Sequence, residues 1–295
     1  MHRREFVKNM AAVPLMGAVM NLNELNKMVM SYGSTELMPV LFVGHGSPMN
    51  AIEENVFVKG WRETGKSLPK PNAILCVSAH WETRGTWVTA MPKPKTIHDF
   101  GGFPQELYEV EYPAPGDPQL AKESSVMIDK ASVGLDQAWG LDHGCWSVLS
   151  RMYPSADVPV VQLSLDYTQP VQYHYELARQ LAELRKRGVL IMGSGNMVHN
   201  LRMVAWDRLD QPGFAYDWAT EANDRMKQFI LSGDHKSLIN YQAQGKAFDL
   251  AIPTPEHYLP LLYTLALQDK GEKIELFNDE PVAGSLTMTS VKIGG

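Results

Sequence analysis

Several short apolar segments of this chain show no alternation of apolar and polar residues. This pattern is typical of strands that are covered on both faces, as in a parallel sheet. Stretches with apolar residues at helical spacing lie between these segments. We predict strands at residues 39–43, 73–79, 87–91, 158–165 and 189–192, an additional strand at 285–291, and helices at 53–67, 118–130, 171–187, 215–232 and 255–268. This order predicts an α/β fold, a single three-layer domain with a mostly parallel central sheet flanked by helices.

The composition is that of a globular protein with an acidic balance. Hydrophobic residues make up 44% of the 295 residues, charged residues make up 20%, and the formal net charge is −6. Lys and Arg form no cluster outside the first residues, so we expect no nucleic-acid partner. Cys76 and Cys145 have apolar neighbours, which predicts two buried, reduced thiols rather than a disulfide framework.

The first 36 residues are interpreted as a leader or an N-terminal extension. Arg3 and Arg4, followed by Phe6 and an apolar run, resemble a twin-arginine export signal. The apolar run is too short for a stable membrane anchor, which takes about 20 apolar residues. Two interpretations stay open: a periplasmic protein with a working signal, or a cytoplasmic protein with an N-terminal extension.

Three of the nine histidines lie just beyond the C-terminal ends of predicted strands: His45, His80 and His199. Ligands bind at the carboxyl edge of the strands in an open α/β sheet, so we expect these imidazoles to lie close together. Neutral imidazole is a common ligand of zinc, iron and copper. The placement therefore predicts a metal site. His257, which opens a predicted helix, and His143, in a polar turn, are further candidates for this site.

The segment 92–116 is rich in proline and glycine and is long for a simple connection, which is typical of functional loops. His98 lies within it, in the aromatic and glycine-rich stretch 96–103. Two interpretations are open for this stretch: the wall of a substrate pocket, or a packed Ω-loop. We predict that His174 and His235 lie at the surface, because they fall on helical stretches without flanking glycines.

Motifs of other enzyme classes are incomplete. Gly193 and Gly195 lack the third glycine of a dinucleotide-binding fingerprint. The sequence contains neither a Walker A motif nor a Gly-x-Ser-x-Gly elbow. These observations argue against nucleotide binding through such loops and against covalent serine catalysis.

Taken as a set, six segments resemble the class III extradiol ring-cleavage dioxygenases, and in particular the 4,5-DOPA dioxygenase branch of that family. The resemblance runs from about Met38 to the C-terminus. Its segments are Gly-His-Gly-Ser-Pro at 44–48, Ser-Ala-His-Trp at 78–81, the loop 96–104, Trp-Gly-Leu-Asp-His-Gly at 139–144, Gly-Asn-Met-Val-His-Asn at 195–200 and Pro-Thr-Pro-Glu-His-Tyr at 253–258.

The resemblance implies a catalytic domain at residues 37–295 that opens the ring of a catechol such as DOPA with O2. It implies one divalent metal, Fe(II) for turnover, with Zn(II) as an alternative bound metal. By motif, His45, His80 and His257 are metal ligands, and His199 lies beside the metal as a further candidate ligand. His199 is also the implied acid–base catalyst, and His143 the residue that orients substrate.

Several alternatives stay open. Non-haem iron oxygenases typically use two histidines and one carboxylate, so either Glu256 or His257 faces the metal. His98, Phe100, Trp81 and Tyr258 are candidates for the substrate pocket, although core packing is the default for any aromatic residue. A zinc-dependent hydrolase and a non-catalytic metal-binding protein are the rival functions. We expect a monomer or a small homo-oligomer.

Overall fold

A mixed sheet of eight strands forms the centre of the protein. The computed structural model describes residues 32–209, 211 and 213–295. The strands of this sheet are β1 (Val40–Gly44), β2 (Ala73–Thr83), β3 (Thr86–Thr89), β4 (Val133–Asp136), β5 (Val160–Asp166), β6 (Val189–Gly195), β7 (Ile274–Phe277) and β10 (Ser290–Ile293). A separate pair consists of β8 (Pro281–Val282) and β9 (Leu286–Thr287).

The strand order in the sheet is β4–β3–β5–β2–β6–β1–β10–β7. The four central strands, β5, β2, β6 and β1, are parallel to one another. Among the described residues, the antiparallel pairs of this eight-stranded sheet lie on either side of the four central strands, where β3 meets β5 and β10 meets β1 and β7. The prediction of an α/β fold with a mostly parallel central sheet is confirmed.

Ten α-helices are found in the described part of the chain. They are α1 (Val56–Ser67), α2 (Gln105–Tyr108), α3 (Pro118–Met127), α4 (His143–Met152), α5 (Val171–Arg179), α6 (Ala182–Arg185), α7 (Asp217–Ser232), α8 (His235–Ile239), α9 (Lys246–Ala251) and α10 (Leu259–Leu265). Short 3-10 helices occupy Pro48–Ala51, Leu201–Met203, Trp206–Arg208 and Tyr241–Gln244.

Helices cover both faces of the sheet, and β2 shows how. Ala73, Leu75 and Val77 belong to one apolar cluster, together with residues of α3, α5, α7 and α10. Ile74 and Cys76, which point to the opposite face, belong to a second cluster with residues of α1 and α4. Because successive strand residues face opposite sides, a strand between two cores must be apolar at every position. This explains the absence of alternation in the sequence.

Three of the differences between the predicted and the observed helices have a physical reason in the sequence or the structure. The predicted helix 171–187 is divided into α5 and α6, because Gln180 and Leu181 donate their amides to residues three positions back, which tightens the turn. The predicted helix 255–268 is shortened to α10. Helix α4 was not predicted at all, since its start, from Asp142 to Gly144, is polar and glycine-containing; the Asp142 side chain caps it by accepting from the Cys145 amide at 3.1 Å.

Two further predictions concern single residues. The surface position predicted for His174 is wrong: the residue is fully buried, and its Nδ1 lies 3.0 Å from the hydroxyl of Tyr263. His235 is half-buried, with Nδ1 2.9 Å from the hydroxyl of Tyr175. The prediction of two buried, free thiols is confirmed for Cys76 and Cys145.

Most of the predicted leader, residues 1–31, lies outside the described residues. None of the helices described from residue 32 onwards is both long enough and apolar enough to cross a membrane.

Candidate metal centre

His45, His80 and His257 come from three separate elements that meet at the carboxyl edge of the central strands. His45 directly follows β1, and its amide donates to the carbonyl of Gly195 at the end of β6 (3.1 Å). His80 lies in β2, near the carboxyl end of that strand. His257 precedes α10, and its carbonyl accepts from the Asn196 amide at 2.9 Å. The topology therefore brings together residues that are up to 212 positions apart in the chain, from 45 to 257.

Gly195 makes the close approach of the His257 segment possible. A Cβ atom at this position would lie 2.1 Å from the carbonyl oxygen of His257, nearer than two such atoms can approach. Only glycine removes that atom. The glycine thus lets the backbone before α10 pack directly onto the end of β6, which carries the His257 ring to the other two.

The three imidazoles form a tight cluster. One ring nitrogen of each lies within 4.8 Å of the others, and the Nε2 atoms of His45 and His80 are 3.1 Å apart. The ring centroids are separated by 4.9 Å for His45 and His80, 5.3 Å for His45 and His257, and 5.0 Å for His80 and His257. His45 is 2% exposed and His257 8% exposed, so water has little access to these two rings.

The partner of His45 determines which of its nitrogens carries the hydrogen. Nδ1 of His45 lies 3.0 Å from the Ser194 hydroxyl, and that hydroxyl donates its single hydrogen to the Gly144 carbonyl at 2.5 Å. Ser194 must then accept from Nδ1–H of His45. The Nε2 of His45 is left with a free lone pair, which faces the Nε2 of His80.

The rings are held in the uncharged form. Burial, followed by the neighbouring histidines, lowers the pKa of His45 and of His257 well below the usual value. Burial also lowers the pKa of His80 to about 3, and the charge of His143 acts in the same direction. Neutral imidazoles with converging lone pairs are the donor set that Fe(II) and Zn(II) accept. The residues present therefore fit a divalent transition metal.

His199 and Glu256 lie beside this cluster rather than inside it. The rings of His199 and His257 stack with centroids 3.5 Å apart and an angle of 6° between their planes. His199 forms a separate group of donor atoms with Glu256 and His257, and the Glu256 carboxylate lies 3.3 Å from Nδ1 of His257. Of the four histidines predicted as ligands, three share one group, and His199 does not belong to it.

Glu256 is likewise absent from the group that contains His45 and His80. It accepts from the Thr254 hydroxyl at 2.8 Å in addition to its contact with His257. Burial lowers the pKa of His199 to about 4, against an opposing effect of the Glu256 charge. The Glu256 carboxylate therefore lies beside His257 and His199, whereas a ring nitrogen of His257 lies within the group formed with His45 and His80.

His143 opens α4 and is held by Asp99, a residue that the sequence reasoning missed. Asp99 accepts the His143 amide at 2.9 Å through one carboxylate oxygen, and its other oxygen lies 3.0 Å from Nδ1 of His143. The second oxygen is also 3.5 Å from Nδ1 of His80. Burial opposes the charged form of Asp99, but the hydrogen bonds with His143 outweigh burial and lower the pKa of this carboxyl. The only signal in the sequence was its position beside His98 in the predicted functional loop.

The four candidate pocket residues differ in their surroundings. Phe100 meets the ring of His143 edge-on at 5.6 Å. His98 donates from Nε2 to the Val110 carbonyl (3.0 Å), inside the loop. Trp81 is 3% exposed and stacks on Trp139. Tyr258 is 1% exposed, and its hydroxyl donates to the Leu238 carbonyl. Of these four, Phe100 has a ring contact with a histidine of the site.

Fold and site together define an α/β protein with a histidine cluster that can hold a metal at the carboxyl edge of its sheet. A family model described as the catalytic LigB subunit of aromatic ring-opening dioxygenase matches residues 38–287. The chain belongs to this family, which is metal-dependent, and it is an extradiol ring-opening dioxygenase.

Individual relatives agree with this assignment. The chain is 49% identical to a 4,5-DOPA dioxygenase extradiol of Escherichia coli K12 over 265 residues, which cover 88% of this chain and 96% of the relative. It is 37% identical to a protein of the same name from Beta vulgaris over 85% of this chain and 94% of the relative. A crystal structure of an uncharacterized protein from Escherichia coli K12 superposes with a TM-score of 0.75 and 44% identity, over 87% of this chain and 100% of that one.

Proposed function

We propose that this dioxygenase cleaves the ring of DOPA or a closely similar catechol, with Fe(II) held by His45, His80 and His257. The observation that carries the proposal is the convergence of three neutral imidazoles, buried at His45 and His257 and partly buried at His80, two of which face each other through Nε2 at 3.1 Å. The substrate is proposed from the names of the Escherichia coli and Beta vulgaris relatives. Ferrous iron is proposed because ring opening with O2 requires a metal that can donate electrons, which Zn(II) cannot.

The bound Fe(II) would supply coordination positions for the two catechol oxygens and for O2. The protein residues supply proton transfer and orientation. His199, neutral and stacked on His257, accepts a proton from a catechol hydroxyl and later returns it. His143, anchored by Asp99, hydrogen-bonds the substrate. Phe100, which lies edge-on to His143, contributes an apolar wall for the aromatic ring.

The test begins with metal-stripped protein, reconstituted under anaerobic conditions with Fe(II) or with Zn(II). Oxygen uptake and the absorbance of the ring-opened product are measured with DOPA and with catechol. We expect O2 consumption and a yellow product with Fe(II) only, and faster turnover with DOPA. No uptake with either diol, despite stoichiometric Fe(II), would contradict the proposal.

Two variants test the ligand set. His257→Gln is expected to reduce bound iron to well below one equivalent per chain, because it removes one of three donors. Glu256→Gln is expected to retain stoichiometric iron, because this side chain lies outside the three-histidine group. The half-buried His235, which belongs to none of the groups of potential metal donors among the described residues, provides the matched control as His235→Gln. The reverse pattern, with iron lost in Glu256→Gln and kept in His257→Gln, would assign the carboxylate as the ligand.

A further inference from the structure

The carboxylate of Asp99 contacts both His143, the proposed substrate-orienting residue, and His80, a histidine of the proposed metal site. It lies in the segment between β3 and α2, far in sequence from the helix that it contacts. Its Oδ1 accepts the backbone amide of His143 at 2.9 Å, and its Oδ2 lies 3.0 Å from Nδ1 of the same residue. The Asp99 side chain is 17% exposed and that of His143 is 8% exposed, so both contacts are largely shielded from water.

The geometry determines the tautomer of His143. An ionised carboxylate can only accept hydrogen bonds, so Nδ1 of His143 must be the donor. In this tautomer the ring carries its lone pair on Nε2. The same Oδ2 lies 3.5 Å from Nδ1 of His80, whose Nε2 faces His45. The ring centroids of His80 and His143 are 3.9 Å apart, and the Nδ1 atoms of both rings lie near the same oxygen of Asp99.

We propose that Asp99 is a positioning residue, which holds His143 in the Nδ1–H tautomer and orients its ring for the ring-cleavage reaction. The role in the reaction rests on the proposed function, whereas the tautomer is a property of the folded protein alone. Changing a carboxylate that orients a metal-bound histidine costs about 10- to 100-fold in activity or metal affinity, and we expect a loss of this size for the histidine oriented by Asp99.

A purely structural role, as a cap of helix α4, is the competing explanation. Helix α4 already has a cap in Asp142, which accepts the Cys145 amide at 3.1 Å. The variant Asp99→Asn separates the two roles. Its side-chain oxygen still accepts the His143 amide, but its NH2 group faces Nδ1 and can only donate. His143 is then expected to change to the Nε2–H tautomer while α4 stays capped.

The direct test is a long-range 1H–15N correlation spectrum of the full chain loaded with Zn(II), labelled with 15N in histidine. The signal of His143 is assigned by its loss in His143→Gln. We expect the Nδ1–H pattern in the wild type and the Nε2–H pattern in Asp99→Asn. An Nε2–H pattern for His143 in the wild type would overturn the proposal without any variant of Asp99. An unchanged Nδ1–H pattern in Asp99→Asn would overturn it as well.

Kinetics with the Fe(II) enzyme test the consequence for the reaction. We expect Asp99→Asn to lower kcat about 10- to 100-fold with a smaller change in KM. In a His143→Ala background, the same substitution should change kcat by less than about 2-fold, because residues that act as one unit are not additive. Glu106→Gln, an exposed acidic residue of α2, is the matched control and should leave kcat unchanged. Independent, multiplying effects of Asp99→Asn and His143→Ala would overturn the positioning role.

The two tests also separate this inference from the proposed function. Absence of ring cleavage in the wild type would contradict the proposed function, while the spectrum of the Zn(II) protein would still decide the tautomer. Ring cleavage in the wild type with an Nε2–H pattern for His143 would contradict the inference and leave the proposed function intact.

Discussion

Ser194 shows how one hydroxyl group can orient a histidine of the proposed metal site. It lies in β6, 149 positions from His45, and it links Nδ1 of that ring to the Gly144 carbonyl at the start of α4. Because the carbonyl can only accept, the hydroxyl must accept from His45, and the Nε2 lone pair is oriented towards the cluster. The residue is fully buried, so its bonds do not compete with water.

We predict that Ser194→Ala weakens metal binding. The substitution leaves Nδ1–H of His45 without its acceptor and allows the ring to rotate or to change tautomer. Loss of such a partner typically costs about 10- to 100-fold in metal affinity. The measurement is competition for Zn(II) between the full-length protein and a chelator of known affinity. Ser125→Ala on α3, whose exposed hydroxyl donates to the Lys122 carbonyl, is the control. An affinity equal to that of the control would contradict the prediction.

At the scale of elements, the site depends on how closely β6 meets the segment before α10. The backbone of Gly195 packs against the His257 carbonyl. Gly193, on the same strand, packs against the carbonyl of Pro260, the second residue of α10, and a Cβ atom at position 193 would lie 2.3 Å from that oxygen. The glycines of β6 therefore serve contact between a strand and a helix segment. In the local sequence, Gly193 and Gly195 form an incomplete nucleotide-binding fingerprint and Gly195 opens one of the family motifs, so neither pattern indicates this packing role.

We predict that Gly195→Ala displaces His257 and disrupts the metal centre. The new Cβ would meet a backbone oxygen at 2.1 Å, which can be relieved only by moving one of the two segments. Overpacking of this kind costs about 1–3 kcal/mol. Chemical denaturation and metal content are to be measured together. Gly33→Ala, at an exposed position with no atom within 4 Å of the added Cβ, is the control. Full metal content in Gly195→Ala would contradict the prediction.

At the scale of the whole molecule, buried histidines make stability depend on pH. His174 lies in α5, on the face of the sheet that is covered by the larger apolar cluster. Its ring contacts the Tyr263 hydroxyl of α10. Burial lowers its pKa to about 4, although the charge of Asp166 opposes the effect. In the unfolded chain the ring titrates near 6.5. Between these two values the unfolded state binds a proton that the folded state does not.

We therefore predict that stability falls as the pH decreases from 6.5 to 4, and that the loss due to His174 is complete below pH 4. The two pKa values imply a contribution of about 3 kcal/mol. The measurement is the free energy of unfolding against pH for the wild type and for His174→Asn. The difference between the two should be constant above pH 7 and should change between pH 6.5 and 4. Parallel curves over the whole range would contradict the prediction.

Local patterns in the sequence indicate the strands of the sheet better than the helices that serve the site. The central strands were predictable because a strand between two cores is apolar at every position, as in β2. Helix α4 was not predictable, because the residues around its N-terminus, Asp142 to Gly144, are polar or glycine and include His143 of the site. The buried position of His174 was also missed, since its environment depends on Tyr263, 89 residues away.

The sequence by itself determined the α/β class, the strands that end near His45 and His80, and the set of motifs that identifies the family, because these depend on local patterns. The tertiary structure decided which groups meet. It turned His257 rather than Glu256 towards His45 and His80, placed His199 beside this cluster, and brought Asp99 to His143 across 44 residues. Contacts of this kind depend on how distant segments pack, and no local pattern encodes them.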